Sequence, residues 1–202
     1  MKLIASLTSP FARKVRMVLA EKAIPFELVV DIPWHAETQV PLANPLGKVP
    51  VLVLPQAQNL YDSRVIVDYL ECLVPQPALI PTQPEFYIAV KKVEALADGI
   101  ADAAATIFIE RRRPVNLQSE EWINRQQQKI DLGLAALAQE LGEASYMVGT
   151  DFSLADIAAI CCLGYLDLRF NHLHWRELYP NLATFMLATN SRASVQATVP
   201  VL

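Results

Sequence analysis

Short apolar runs that read as strands occur only in the first part of the chain; from residue 85 onward the apolar positions recur at helical spacing. Lys2 to Ser6 is the first predicted strand, and Pro10 is placed to begin a helix because its φ is already helical. Phe11, Val15, Val18, Leu19 and Lys22 then recur at intervals of four and three, with Arg13, Lys14, Arg16 and Glu21 on the other faces. That amphipathic helix ends before Pro25. Phe26 to Val30 is a second strand, so strand, helix and strand make a βαβ unit with parallel pairing. Asp31 to Ala43 carries Pro33 and Pro41 and is predicted to be mostly loop, with room for a short helix.

Val51 to Leu54 is a buried strand entered through Val49-Pro50. Proline cannot donate to a ladder, so Pro50 sits at the first strand residue or in a turn. A cis X-Pro bond costs only about 0.5–1 kcal/mol, and a cis bend here would turn the N–H and C=O of Val49 outward. A loop at 55–58 and a strand at Asn59-Leu60-Tyr61 complete a hairpin. Asp62-Ser63 then starts a helix with Ile66, Tyr69, Leu70 and Leu73 on one side.

Pro75, Pro77, Pro81 and Pro84 cannot lie in a helix interior, and they mark a stiff linker. The expected organisation is a first domain at 1–76, a linker at 77–84 and an all-helical domain at 85–202. A long helix from Glu85 to Glu110, with Gly99 a candidate bend, is closed by Arg111-Arg112-Arg113-Pro114. These cations are either a solvated helix end that suits the dipole or an overhang that attracts an anionic ligand. Ser119 caps the next helix, whose buried face is predicted as Trp122, Ile123, Ile130, Leu134, Leu137 and Leu141, with Gly142 as its stop. Ser153-Leu154-Ala155-Asp156 has the form of a capping box. The helix it opens is apolar nearly all round and belongs in the centre of a bundle, so Asp156 is read as structural. Tyr179-Pro180-Asn181-Leu182 opens one more helix, and His172 and His174 have no third ligand nearby that would suggest a metal.

Composition narrows the classes. With 53% hydrophobic and 19% charged residues, the 202-residue chain is an ordered globular protein. A net charge of −4 gives no sign of a nucleic-acid partner. The longest uncharged apolar run, Ile157 to Leu166, is too short to span a bilayer, so no membrane partner is expected. No signal peptide is visible, and Cys72, Cys161 and Cys162 have neither disulfide nor metal-ligand spacing, which suits a reducing, cytoplasmic setting.

Candidate chemistry is confined to the first domain. Ser9 precedes a helix N-terminus, where unpaired N–H groups favour negative charge. Asp62-Ser63 starts a second such helix, and Val49 offers edge backbone to which an extended peptide can add. Each has a plain alternative: Ser9 and Ser63 as ordinary caps, Pro50 as a divider between two elements. Gly-x-Ser-x-Gly, phosphate-loop and dinucleotide fingerprints are absent from the sequence.

Taken together, Ser9-Pro10-Phe11-Ala12-Arg13-Lys14-Val15-Arg16, Asn44-Pro45-Leu46-Gly47-Lys48-Val49-Pro50-Val51-Leu52, Tyr61-Asp62-Ser63, Ser153-Leu154-Ala155-Asp156 and Tyr179-Pro180-Asn181-Leu182 resemble the glutathione S-transferase superfamily in order and along essentially the whole chain. The resemblance implies an α/β thioredoxin-like N-terminal domain (βαβ-ββα), an all-α C-terminal bundle and a homodimer. It implies that Val49, before a cis Pro50, pairs with the cysteinyl unit of glutathione, that Asp62 and Ser63 take its γ-glutamyl end, and that Ser9 is the catalytic residue. Phe11 borders the site; His35 and Lys48 are alternatives for the glycine carboxylate. Asp98 or Asp102 of a partner subunit would reach the γ-glutamyl amine. The implied activity uses glutathione as co-substrate, with no other cofactor, against a small hydrophobic electrophile. Its acceptor pocket would lie between Phe11 and the helical domain, near Thr106 to Arg113 and Tyr165. Glutathione-dependent disulfide or peroxide reduction, and a non-catalytic module for protein contacts, are the alternatives.

Overall fold

A mixed four-stranded sheet in the order β2-β1-β3-β4 carries the first part of the chain in this computed structural model, which describes residues 1–55 and 58–201. β1 (Lys2–Ala5) pairs in parallel with β2 (Glu27–Val30), and α1 (Pro10–Glu21) supplies the crossover that parallel strands require. A short α2 (Val40–Ala43) precedes β3 (Val51–Val53), which runs antiparallel to β1; β4 (Asn59–Leu60) is antiparallel to β3, as the hairpin reading expects. Gln56 and Ala57 of the expected 55–58 loop lie outside the described residues. α3 (Ser63–Leu73) packs beside α1 and buries Ile66, Val67 and Leu70, whereas Leu73, expected on that face, is exposed.

The solvent face expected for α1 is corrected. Arg13 and Lys14 are only 3% and 1% exposed. Arg13 is covered from far along the chain: α9 (Ala193–Gln196) lies on α1. Arg13 donates from Nε to Thr198 Oγ1 at 3.4 Å and from Nη2 to the Val195 carbonyl at 3.4 Å. Arg192 Nη2 pairs with Glu21 Oε2 at 2.8 Å, and the Ser194 hydroxyl also donates to Glu21. The segment from Ser191 onward therefore groups with Met1–Leu79, and Ile80–Asn190 forms the second unit. The expected helical domain at 85–202 loses its tail to the first unit.

Burial pushes the Glu21 carboxyl up, but the hydrogen bonds from Arg192 and Ser194 and the Arg192 charge outweigh it and hold the group below 4.5. A lowered carboxyl contributes stability above its unfolded pKa and loses it as pH falls through the folded one. Docking of the tail is thus expected to persist at neutral pH and to weaken on acidification below about 4.5. Limited proteolysis followed by intact-mass measurement checks this: Arg192→Ala should be clipped in the tail at neutral pH, where the wild type is protected.

Lys22, which the periodicity places on the apolar face of α1, is buried there with its charge satisfied. Its Nζ donates to the carbonyls of Val74 at 2.7 Å and Pro77 at 2.8 Å, and it pairs with Glu71 at 3.2 Å. It thereby captures carbonyls that the end of α3 and the proline-rich turn leave without a partner.

The helical unit is built on α4 (Pro84–Glu110), which packs against α5 (Glu120–Leu141) and α6 (Leu154–Arg169); α7 (Trp175–Leu178) and α8 (Pro180–Thr189) follow. α4 continues through Gly99 as one helix. α6 is buried from Leu154 to Leu166, the central position its uniform apolarity predicts. Its capping box is formed: Asp156 accepts from Ser153 N at 2.8 Å and from Met147 N at 2.8 Å, and the Ser153 hydroxyl accepts from Ala155 N at 3.2 Å. α5 buries Ile123, Ile130, Leu134, Leu137 and Leu141, but Trp122 is 44% exposed and Gln126 is buried in the stripe. At Gly133 an added Cβ would stand 2.4 Å from Ile100 Cγ1, so the absent side chain sets the approach of α5 to α4. Gly142 ends α5 with φ +54°, and Asn181 Nδ2 donates to the Ala138 carbonyl in the last turn and to the Gly142 carbonyl after it. Among the described residues, no helix is long and apolar enough to cross a membrane.

Candidate functional site

Register places the candidate residues of the first unit at one end of its sheet. Ile4 stands opposite Val51, and Ala5 opposite Val30. Leu52 stands opposite Leu60. The turn leaving β1 toward Ser9, the bend entering β3 at Val49-Pro50 and the turn leaving β4 at Tyr61-Asp62 therefore emerge together. The loop after β2 starts there too, its Asp31 N–H donating to the Ala5 carbonyl at 3.0 Å.

Ser9 is half-buried and caps α1, its Oγ accepting from Ala12 N at 3.2 Å. A hydroxyl has one proton to donate beyond what it accepts. No acceptor for that proton is found among the described residues. Thr8 is engaged differently, its Oγ1 lying 3.0 Å from Ser6 Oγ. Phe11 stands half-buried in the first turn of α1, two positions beyond Ser9.

The Val49-Pro50 bond is cis, the geometry the sequence allows. Neither the N–H nor the C=O of Val49 takes a backbone hydrogen bond from the described residues. Asn44, to which the sequence reading gave no role, builds this bend. The residue is 2% exposed, and its Nδ2 donates to the Lys48 carbonyl at 2.8 Å while its Oδ1 accepts from Leu46 N at 3.0 Å. Gly47, at φ +62°, closes the turn by donating to the Asn44 carbonyl at 2.8 Å. The signal was present as an Asn three residues before a Gly, a pairing typical of side-chain-stabilised turns.

Asp62 caps α3 by accepting from Arg64 N at 2.9 Å, and the Tyr61-Asp62 bond is cis. Ser63 follows at the first helical position, 3% exposed, and no partner for its hydroxyl is found among the described residues. An anion at this terminus would meet that hydroxyl and unpaired helix N–H groups.

His35 and Lys48 are both exposed, so neither is fixed in place by packing. The loop carrying His35 is pinned at Asp31, which accepts from Thr38 Oγ1 at 2.7 Å and from Gln39 N at 2.9 Å; His35 Nδ1 itself is 3.8 Å from Glu37. On the helical unit Asp98 is 6% exposed and lies near Cys162, while Asp102 is exposed. Thr106 donates to the Asp102 carbonyl at 2.8 Å, and Tyr165 is 5% exposed.

Comparison with known proteins bears on the whole chain. Residues 8–73 match the family model for the glutathione S-transferase N-terminal domain, and residues 120–188 match that for the C-terminal domain. The uncharacterized GST-like protein YibF of Escherichia coli (strain K12) is 40% identical over 99% of this chain and 98% of its own. A glutathione S-transferase from Methylobacterium radiotolerans, solved in complex with glutathione sulfonate, superposes with a TM-score of 0.97 at 45% identity, covering 100% of this chain and 95% of that one. Another, from Methylobacillus flagellatus with glutathione bound, gives 0.95 at 48% identity, covering 99% of each.

Proposed function

We propose that this chain, which belongs to the glutathione S-transferase family, binds glutathione at the end of its sheet and activates the thiol for attack on a small hydrophobic electrophile. The observation that carries the reading is the unspent proton of Ser9 at the N-terminus of α1, beside the open backbone of Val49. In it, the cysteinyl unit lies along Val49 as an added strand, and the γ-glutamyl carboxylate takes the Ser63 hydroxyl and the N-terminus of α3. Asp62 faces the γ-glutamyl amine. Asp102, exposed on α4, is better placed than the buried Asp98 to serve a second subunit of a homodimer.

The chemistry requires no base. A serine hydroxyl does not ionise at neutral pH, but it donates a hydrogen bond to a thiolate, worth about 1.5–3 kcal/mol. At 1.36 kcal/mol per unit, this lowers a thiol pKa by roughly one to two units. From an ordinary value near 8.5, the thiolate becomes a large fraction at pH 7, and the N-terminus of α1 favours it further. The thiol proton leaves to solvent; the sulfur forms a bond to the electrophilic carbon, and the leaving group departs with the bonding pair. A self-contained disulfide exchange is disfavoured, since Ser9-Pro10-Phe11-Ala12 holds no cysteine.

Retention on immobilised glutathione, followed by rates with an aryl halide and with a small disulfide, tests the reading. Retention with faster aryl-halide turnover is expected. Faster disulfide turnover would favour the reductase, and no retention would leave the protein-contact module. Ser63→Ala separates binding from chemistry: it should raise the glutathione Kd roughly tenfold or more while turnover at saturation is kept. Calorimetry and steady-state kinetics on the same preparation check both halves.

A further inference from the structure

The arginines that close α4 do not share one role. Arg113 pairs with Glu110 at 3.0 Å. Arg112 has no carboxylate partner among the described residues, and its Cζ lies 5.7 Å from the centre of the Phe108 ring. From α6, Arg169 approaches the same ring, with Cζ at 4.3 Å. Arg169 Nε is buried and has no hydrogen-bond partner among the described residues. The Arg169 side chain is hydrogen-bonded to the hydroxyl of Tyr165, itself 5% exposed.

Two guanidiniums on one ring repel each other when no carboxylate stands between them. The ring's negative face offsets part of that, and among the described residues no acceptor meets the desolvated Nε–H. An oxyanion would satisfy both arginines, and the planar guanidinium fork matches a carboxylate. Guanidinium can only donate, so the Tyr165 oxygen is the acceptor from Arg169 and keeps its own O–H to donate. A ring beside both cations also offers apolar surface to whatever bears the charge.

We propose that Arg112, Arg169 and Tyr165, gathered at Phe108, form a site on the helical unit for the carboxylate of a small molecule with an apolar body. Phe108, Arg112 and Tyr165 fall in the stretch where the acceptor pocket is expected, so the site defines a class of acceptor, and its role in turnover rests on the transferase reading.

Benzoate titrated into the full chain by calorimetry is the test, with benzamide and inorganic phosphate as comparisons. Saturable benzoate binding that weakens as salt rises is expected, with benzamide and phosphate at least about tenfold weaker. Arg169→Gln and Arg112→Gln should each weaken benzoate about tenfold or more, whereas Arg125→Gln, at an exposed position on α5, should leave it unchanged. Arg112 is exposed, so its variant reads the site without disturbing packing, and thermal melting of both variants verifies folding. Benzamide or phosphate binding as well as benzoate, or Arg112→Gln binding like the wild type, overturns the site. So does a wild type that is retained on glutathione yet ignores benzoate, a result that leaves the transferase reading standing.

Discussion

Ser9→Ala is expected to lower turnover roughly ten- to hundredfold while glutathione affinity falls only modestly. The hydroxyl bonds to sulfur only once the thiol is ionised, so its loss acts on thiolate formation more than on the hold over the rest of the tripeptide. The pH–rate profile is the sharper readout. Its rising limb should move up toward the ordinary thiol range in the variant, by about one to two units. The cap complicates the experiment, since Ser9 Oγ also accepts from Ala12 N. Removing such a cap costs about 0.5–2 kcal/mol. Ser9→Asp resolves the two roles. An aspartate keeps an acceptor at the start of α1 and suits the dipole, but it sets a negative charge beside the sulfur. Melting temperature should therefore be retained in Ser9→Asp and reduced in Ser9→Ala, with turnover low in both. If Ser9→Ala keeps kcat, sulfur activation must be reassigned to Thr8 or to a backbone N–H.

Asp156→Ala should be the most damaging single change to stability. The carboxylate is fully buried and accepts from Met147 N, Ser153 N and the Ser153 hydroxyl. Alanine would leave two backbone donors buried without partners, at about 1–3 kcal/mol each, so a loss of roughly 2–6 kcal/mol is expected in urea denaturation. That is a large share of the stability of a typical domain, about 5–15 kcal/mol. Ser153→Ala retains the carboxylate and should lose less. Burial pushes the Asp156 carboxyl up, and the hydrogen bonds from Met147 and Ser153 only partly restore it. The folded state therefore binds the proton more tightly than the unfolded one. Stability from this group falls as pH rises between the unfolded and folded pKa values. The wild type's advantage over Asp156→Ala should be widest on the acid side; an advantage that instead grows with pH would contradict this assignment of the burial effect.

Where an element is specified by neighbours in sequence, it was legible. The periodicity of α1, the parallel β1–β2 pair, the β3–β4 hairpin and the capping box at Ser153 all follow from spacings of a few residues. The polar faces of the helices were less readable, because what covers them is remote. Arg13 looks solvated until Thr198 and Val195 are brought onto it. Trp122 looks buried by type, yet the stripe of α5 turns Gln126 inward and leaves the indole out, with Lys129 Nζ 5.9 Å from its ring. At Ser9, Val49 and Ser63 the local backbone was readable, because a helix start or a proline bend is set by adjacent residues. At His35 and Lys48 the sequence sets no side-chain position, because both are exposed and packing does not choose among their conformations. Asn44 escaped notice because its work is done entirely on carbonyls and amides of its own loop.

Because the segment beyond Ser191 is part of the first unit, neither the order of synthesis nor the cutting of the gene respects the fold. Translation delivers the sheet, α1 and α3 early, but the cover for Arg13 and Glu21 leaves the ribosome only after the whole helical unit has been made. A fragment ending near Leu79 would display that seam bare, so an excised first unit should be engineered with its distal strap fused back on rather than cut at the prolines.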